Sequence, residues 1–310
     1  MSPSKPSRFS FIIPTYNRCQ SLRQCLLTAT NQDHPNYEII VIDDASTDNT
    51  REMVQDEFPA VNYLRQEKNR GPATARNRGI QIATGEFIAF TDDDCIVPPN
   101  FLSSLAKGYE LYPEAAGVGA YVEALDELIE HNMFAQYEAY MTHQVYGAGT
   151  EPYLGGLECP AGGTCAMSYK RAVLDAVGGF DESFPAPGGE DTDLKLRVVQ
   201  GGDQLLYIPL KILHNQPYAL RSFWSQYRNH GRGVVHYERK HKGKAPTLIR
   251  LLLRAGIRFL RWLPGVFQMG MKISTARLLA ELADLTGQWQ ETGRLHARRT
   301  SPASLNIEEQ

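Results

Sequence analysis

Four short apolar runs, separated by stretches with helical spacing, constrain this chain more than any other feature. Phe9–Ile13, Tyr37–Ile42, Val61–Arg65 and Phe87–Thr91 are five or six residues long, the length of a buried strand. Between them, Ser21–Thr30 carries Leu22, Cys25, Leu26 and Ala29 on one helical face, and Ser21 with Gln24 predicts a capping box. Ser46–Phe58 opens on capping residues, and Pro72–Ala83 and Asn100–Tyr112 are helical too, the last with Phe101, Leu105 and Tyr109 on one side. A βαβα rhythm with apolar strands predicts an α/β fold: a mainly parallel central sheet flanked by helices, joined by right-handed crossovers.

The second half is less regular. Gly117–Ala124 reads as a strand, Glu127–Met141 as a helix and Gly155–Gly163 as a glycine-rich loop. Lys170–Val177 is helical and stops at Gly178 and Gly179; Glu190–Gln200 is helical, Leu205–Ile208 a strand, and the chain is helical again from Ala219. Nothing resembling a linker precedes residue 240. The expected organisation is therefore a catalytic domain over 1–240 and a basic helical region over 241–310.

Charge supports that division. Arg239–Ala280 holds ten of the 32 Lys and Arg and none of the 35 Asp and Glu, leaving 22 basic against 35 acidic residues, net −13, elsewhere. A hydrophobic content of 42% with 22% charged residues excludes a disordered or low-complexity chain. The net charge of −3 excludes a basic nucleic-acid coat. Five scattered cysteines without a CxxC pair suggest neither a disulfide framework nor a zinc ribbon, and fit a reducing compartment. The start, MSPSKPSRFSFIIPTYNR, lacks a small-residue cleavage site, and no uninterrupted run of about 18 apolar residues exists. A cytoplasmic location is expected.

Open parallel sheets bind ligands at the carboxyl ends of their strands, and three polar clusters fall there. Pro14-Thr15-Tyr16-Asn17 follows the first strand, Asp43-Asp44 the second and Asp92-Asp93-Asp94 the fourth. Three consecutive carboxylates repel one another unless a cation or solvent relieves them, and their hard oxygens suit Mn²⁺ or Mg²⁺. A solvated acidic turn looks the same. Asp44 belongs to a strand end running into helix caps, yet would be free to accept from a base-edge N–H. Arg76 is either a helix-surface arginine or a phosphate or base contact. In Gly188-Gly189-Glu190-Asp191-Thr192-Asp193 the acids suit a helix dipole, or supply a general base after a backbone that admits close approach of a ligand. No GxGxxG follows the first strand, and neither GxxxxGK[ST] nor GxSxG occurs, which disfavours a dinucleotide fold, a P-loop and a nucleophile elbow.

The segments FIIPTYNR, EIIVIDDASTDNT, NRGPATARNRGI, GEFIAFTDDDC, GGTCAMSYKRAVLDAVGGFDESF and GGEDTDLKLR, in this order, resemble family 2 inverting nucleotide-sugar glycosyltransferases of the GT-A fold over residues 8–235. The resemblance implies a nucleoside-diphosphate sugar donor, most often UDP-linked, and a divalent metal, Mn²⁺ or Mg²⁺. It implies that Pro14, Tyr16, Asp44, Arg76, Asp92 and Asp93 surround the nucleotide, with Tyr16 near the base, Asp44 on its edge and Asp92 toward the ribose. Asp94 matches the metal ligand of the D-x-D pattern, and Asp191 matches the catalytic base. Gly162, Gly163 and Glu190 match the donor-sugar and acceptor pocket. His214, after IPLKILH, reads as a further metal or diphosphate contact or as a structural residue. Arg228 and Arg232 read as diphosphate or acceptor contacts or as surface charges.

Two departures are informative. Gln226-Tyr227-Arg228-Asn229-His230 does not reproduce the Q-x-x-R-W of processive synthases, so transfer of a single sugar is expected. Thr164-Cys165 follows the glycine pair where many relatives have asparagine. Beyond the catalytic part, Arg250, Arg254, Arg258 and Arg261 form one stripe of a helix otherwise rich in Leu, Ile and Phe. Such a helix either lies on an anionic membrane surface, suiting a saccharide or lipid-linked acceptor, or docks on the catalytic body. Stacking aromatics are few, so no nucleic acid is expected. A nucleotidyltransferase and a non-catalytic nucleotide-sugar-binding scaffold are the alternatives; the missing phosphate loop counts against the first and the intact acids against the second.

Overall fold

In the computed structural model, β1 (Phe9–Thr15) is buried along its whole length, as a strand covered on both faces must be. The structure describes residues 7–185, 187–244 and 262–299, with 246, 251, 253, 254, 256, 257 and 260 between the last two stretches. After β1 come α1 (Cys19–Ala29), β2 (Tyr37–Asp43), α2 (Thr50–Glu57), β3 (Asn62–Arg65), α3 (Pro72–Ile82) and β4 (Phe87–Phe90). Next are β5 (Cys95–Ile96), α4 (Phe101–Leu111), β6 (Ala115–Ala124), α5 (Asp126–His131), α6 (Met133–Tyr140), β7 (Tyr153–Gly155), β8 (Met167–Lys170), α7 (Arg171–Val177), α8 (Glu190–Gln200), β9 (Gln204–His214) and α9 (Leu220–Lys242). Helices Trp262–Met269 and Met271–Arg299 follow.

The sheet order is β3-β2-β1-β4-β8-β6-β9-β5, with β7 also paired to β9. The first four strands of that order are mutually parallel. β8 runs antiparallel to both β4 and β6, β9 is parallel to β6, and β5 is antiparallel to β9. One core cluster on the sheet contains Phe11, Leu22, Leu26, Phe101 and Leu105; another contains Ile12, Ile40, Phe90, Tyr169 and Leu194. Successive β1 residues thus feed opposite layers, as strand alternation requires.

Several boundaries differ from the sequence reading. α1 starts at Cys19, so the Ser21–Gln24 capping box does not form; the Cys19 N–H donates instead to Asp48 Oδ2 at 3.0 Å. α2 starts at Thr50, because Ser46–Asp48 form a turn in which the Ser46 N–H bonds Asp43 Oδ1 at 2.7 Å. The helix read over Glu127–Met141 divides at Asn132, whose Oδ1 accepts the N–H groups of Phe134 (2.9 Å) and Ala135 (3.3 Å) and so caps a new helix. β9 continues to His214, since its far half pairs with β6 and β5. β5, β7 and β8 are too short to have shown a period.

The contacts divide the chain into two compact units. The first is Met1–Glu130, Glu138–Glu182 and Glu190–Gln216; the second is His131–Tyr137, Ser183–Gly189 and Pro217–Gln310. The division at 216–217 falls inside the segment that the sequence reading placed in the catalytic domain, and α9 belongs to the second unit. There α9 crosses the Met271–Arg299 helix at glycines. A Cβ on Gly231 would lie 1.9 Å from the Asp284 carbonyl oxygen, and one on Gly287 1.9 Å from that of Arg228. Only hydrogen permits that approach. Among the described residues, no helix is long and apolar enough to cross a membrane.

Candidate active site

The registers bring the motif residues to one edge of the first unit. Thr15 ends β1 opposite Asp43 at the end of β2, and Ile12 of β1 lies opposite Phe90, just before the acidic triplet. Arg76 comes from α3, Glu190 and Asp191 from the start of α8, and His214 from the end of β9. His214 reaches the triplet because it pairs with Cys95.

The three carboxylates have separate partners. Asp92 Oδ1 accepts Arg76 Nη2 at 2.8 Å, and Oδ2 accepts the Cys165 thiol at 2.8 Å. Arg76 is 4% exposed and donates its other terminal nitrogen to Glu190 Oε1 at 3.0 Å. Burial opposes its charge, but Asp92 and Glu190 hold its pKa above the ordinary value. Arg76 is therefore not a surface arginine: it ties the end of β4 to the start of α8. Glu190, read from the sequence as a pocket residue, is buried against it and anchors α8.

Asp93 and Asp94 share one cation. Arg18 Nη1 donates to Asp93 Oδ1 at 2.8 Å and to Asp94 Oδ2 at 2.6 Å. Thr15 Oγ1 donates to Asp93 Oδ2 at 2.7 Å. Burial, with Asp94 adding to it, pushes the Asp93 carboxyl up to about 6 against the pull of Arg18. Asp94 Oδ1 meets His214 Nε2 at 3.2 Å. Burial would raise the Asp94 pKa, but His214 and Arg18 hold it well below the usual carboxylate range. Burial likewise opposes charge on His214, yet Asp94 pushes its pKa up to about 9.

Asp44 is not free in the sense the sequence suggested. Its Oδ1 accepts Gln66 Nε2 and the Arg70 N–H, each at 2.8 Å, and its Oδ2 accepts the Gly71 N–H at 2.7 Å. It holds the 66–71 loop that leads into α3, and one acceptor direction remains on Oδ2. Pro14 is buried within β1 opposite Ile42, whereas Tyr16, just past the strand, is exposed. Gly162 takes φ +138°, and a Cβ there would meet Lys195 Cδ of α8 at 2.7 Å. Gly163 faces open space. Asp191 accepts the Thr192 N–H at 2.7 Å within its own turn, and no Lys or Arg among the described residues pairs with it. Burial and then the Asp191 charge raise the pKa of the Tyr169 hydroxyl, which places the two near each other.

Arg18 and Cys165 are the residues that sequence reasoning missed. Arg18 immediately precedes a helix and carries no pattern of its own; Cys165 registered only as a departure from asparagine. In the second unit, Arg232 is committed to Glu291 (3.1 Å) and to the Pro185 carbonyl (3.1 Å), and Arg228 reaches Ser225 at 3.5 Å. Arg254 bonds Gln288 at 3.1 Å and Glu238 at 3.4 Å, which removes it from a free basic stripe. Arg250, Arg258 and Arg261 lie outside the described residues.

The donors suit a divalent cation that a ligand completes. Among the described residues there is no group of three acidic, His or Cys side chains able to enclose a metal. Asp94 Oδ1 and His214 Nε2, however, lie 3.2 Å apart. Two donors at right angles on Mg²⁺ or Mn²⁺ are about 3 Å apart, and such ions commonly take one or two protein ligands plus substrate phosphates.

The chain is 29% identical over 254 residues to the pre-mycofactocin glycosyltransferase of Mycobacterium tuberculosis, an alignment covering 80% of this chain and 51% of that protein. The chain thus spans about half the length of this relative. It is 37% identical over 115 residues to the GalNAc(5)-diNAcBac-PP-undecaprenol beta-1,3-glucosyltransferase of Campylobacter jejuni, covering 36% of this chain and 37% of that one. The fold matches the mannosyltransferase PcManGT of Pyrobaculum calidifontis, solved with GDP-Man and Mn²⁺, at a TM-score of 0.59 and 21% identity, over 99% of this chain and 80% of the other. These neighbours make the fold GT-A. Residues 10–178 match the family model described as glycosyl transferase family 2, and with the acidic triplet and its partners at the sheet edge the chain belongs to that family.

Proposed function

We propose that the chain transfers a single sugar from a nucleoside-diphosphate sugar, UDP-linked in the first instance, to an acceptor hydroxyl with inversion at the anomeric carbon. The observation that carries this reading is the separation of roles within Asp92-Asp93-Asp94. Asp92 is fixed by Arg76 and Cys165, Asp94 faces His214, and Arg76 extends through Glu190 to the first turn of the helix that carries Asp191.

Asp94 and His214 would hold Mn²⁺ or Mg²⁺, which when bound neutralises charge on the departing nucleoside diphosphate. Asp92 orients toward the donor ribose. Tyr16 offers an exposed ring for the base, and Asp44 Oδ2 keeps one acceptor direction for its edge. Gly163 leaves room for the sugar. Asp191, in no close ion pair among the described residues, takes the proton from the acceptor hydroxyl as the new bond forms. One base acting opposite the leaving group, with no covalent intermediate, inverts the configuration.

The Campylobacter relative's name describes transfer to an undecaprenyl-diphosphate-linked saccharide, which supports a saccharide or lipid-linked acceptor. A membrane-facing second unit fits the same acceptor. Leu253, Leu260, Phe267 and Met271 are exposed within a segment, 239–280, that has ten basic and no acidic residues. Vesicles containing anionic lipid should retain the protein and neutral vesicles should not. Loss of that difference in Leu260→Glu/Phe267→Glu is expected, and equal retention on both vesicles counts against a membrane face.

The first test is calorimetric binding of UDP, GDP, dTDP and CDP with and without Mn²⁺, repeated on Asp94→Ala. Metal-dependent binding of one nucleotide, lost in the variant, supports the reading. Absence of any diphosphate binding by folded protein with metal overturns it.

A further inference from the structure

Two arginines serve the acidic triplet, and they are held in opposite ways. Arg76 is buried, and each of its terminal nitrogens bonds a carboxylate on a different element. Arg18 has a side chain 45% exposed, while those of Asp93 and Asp94 are 6% and 7% exposed. Arg18 is attached through Nη1 alone; among the described residues no partner binds its Nε or Nη2. A long side chain held at one nitrogen, with three N–H donors directed elsewhere, can leave its site without disturbing the fold.

Its position conflicts with the cation. Arg18 occupies Asp94 Oδ2, while the donor pair suited to a divalent ion uses Oδ1 of the same carboxylate with His214. A divalent charge there would lie within a few ångströms of a guanidinium, in a site too buried for water to screen the repulsion fully.

We propose that Arg18 is a built-in counter-cation that competes with the divalent ion for Asp94 and is displaced when ion and donor diphosphate bind. This inference rests on the donor-site reading above. Without the ion, Arg18 compensates two buried carboxylates that would otherwise repel each other. Once displaced, its planar fork is suited to an incoming diphosphate, and Asp93, also held by Thr15, remains as its anchor. Ion and diphosphate therefore bind more tightly together than either alone, with reciprocal coupling. Arg18 is a positioning residue; it neither takes nor gives a proton.

The test uses Mn²⁺ alone, with the free ion followed by electron paramagnetic resonance in titrations of the full chain, Arg18→Ala and Arg18→Gln. Both variants should bind Mn²⁺ about tenfold more tightly than the unaltered chain, or better, a change of about 1.4 kcal/mol. Adding Asp94→Asn to Arg18→Ala should remove the gain. Thermal unfolding establishes that each variant is folded. Equal or weaker Mn²⁺ binding in both folded Arg18 variants, no Mn²⁺ binding by any chain, or a gain that survives Asp94→Asn overturns the proposal. If the unaltered chain binds a nucleoside diphosphate with Mn²⁺ and Asp94→Ala does not, the donor site stands and the Arg18 role alone has failed. If no nucleotide binds, the reading beneath it has failed as well.

Discussion

Replacing Arg76 by methionine tests whether the buried arginine joins the acidic triplet to the start of α8. The substitution keeps much of the volume and removes the charge. It strands two carboxylates unequally: the Asp92 side chain is 28% exposed and can hydrate, whereas that of Glu190 is 6% exposed and cannot. A stranded buried carboxyl can always escape by taking up a proton, which at pH 7 costs an ordinary glutamate about 4 kcal/mol. That sets the scale for Arg76→Met, and it agrees with the ~3–5 kcal/mol typical of removing one partner from a buried ion pair. Glu190→Gln in the same chain should restore about half or more of the loss, since no charge is then left behind. The pH dependence has a definite sign. In Arg76→Met the folded chain holds a proton on Glu190 that the unfolded chain releases above about pH 4.3, so the penalty shrinks as pH falls from 7 toward 5. Urea denaturation of the four chains of the cycle at pH 5 and pH 7 measures all of this. A loss below about 1 kcal/mol at pH 7, or equal losses at both pH values, would refute a buried, charge-compensating role.

Three further outcomes follow. Gly287→Ala should destabilise the second unit by about 1–3 kcal/mol, toward the upper end because the added methyl meets a backbone carbonyl that cannot rotate away; an unchanged urea midpoint would contradict the helix crossing. Burial would raise the pKa of Glu38, but hydrogen bonds from Ser10 Oγ and from Thr84 N and Oγ1 outweigh it and lower it. Its contribution is then present above about pH 4.3 and lost as pH falls through the lowered value, so the Tm gap between the native chain and Glu38→Gln should close in acid, and a gap independent of pH would sink the argument. Asp191→Asn should lower kcat by about 10²–10⁴-fold while leaving calorimetric nucleotide binding intact; undiminished turnover would remove Asp191 as the base.

Local patterns carried much of this protein. The apolar runs that became β1, β2 and β4 were legible because those strands are largely buried, so composition and length sufficed; β3, at the sheet edge and only partly buried, was legible from its place between two helix-forming segments. The placement of Asp43, Asp44 and the acidic triplet at strand ends followed from the same alternation. Asp92, Arg76, Asp94 and His214 were singled out by residue type, by their place near strand ends and by the family resemblance, and the fold brings them within hydrogen-bonding distance in pairs.

Other features depend on contacts far along the chain. β8 has four residues, and it is a strand because β4 and β6 flank it, nearly eighty residues earlier for β4 and about fifty for β6. β9 extends to His214 because β6 and β5 supply partners, and without that extension His214 would not reach Asp94. Which acid pairs with which base is not written in either motif. Asp93 and Asp94, buried from water, turn to Arg18, and the partly exposed Asp92 to Arg76 and Cys165, because folding places those donors beside them. Periodicity is a property of neighbouring residues and can be read along the chain, whereas compensation of a buried charge depends on whatever the fold sets beside it.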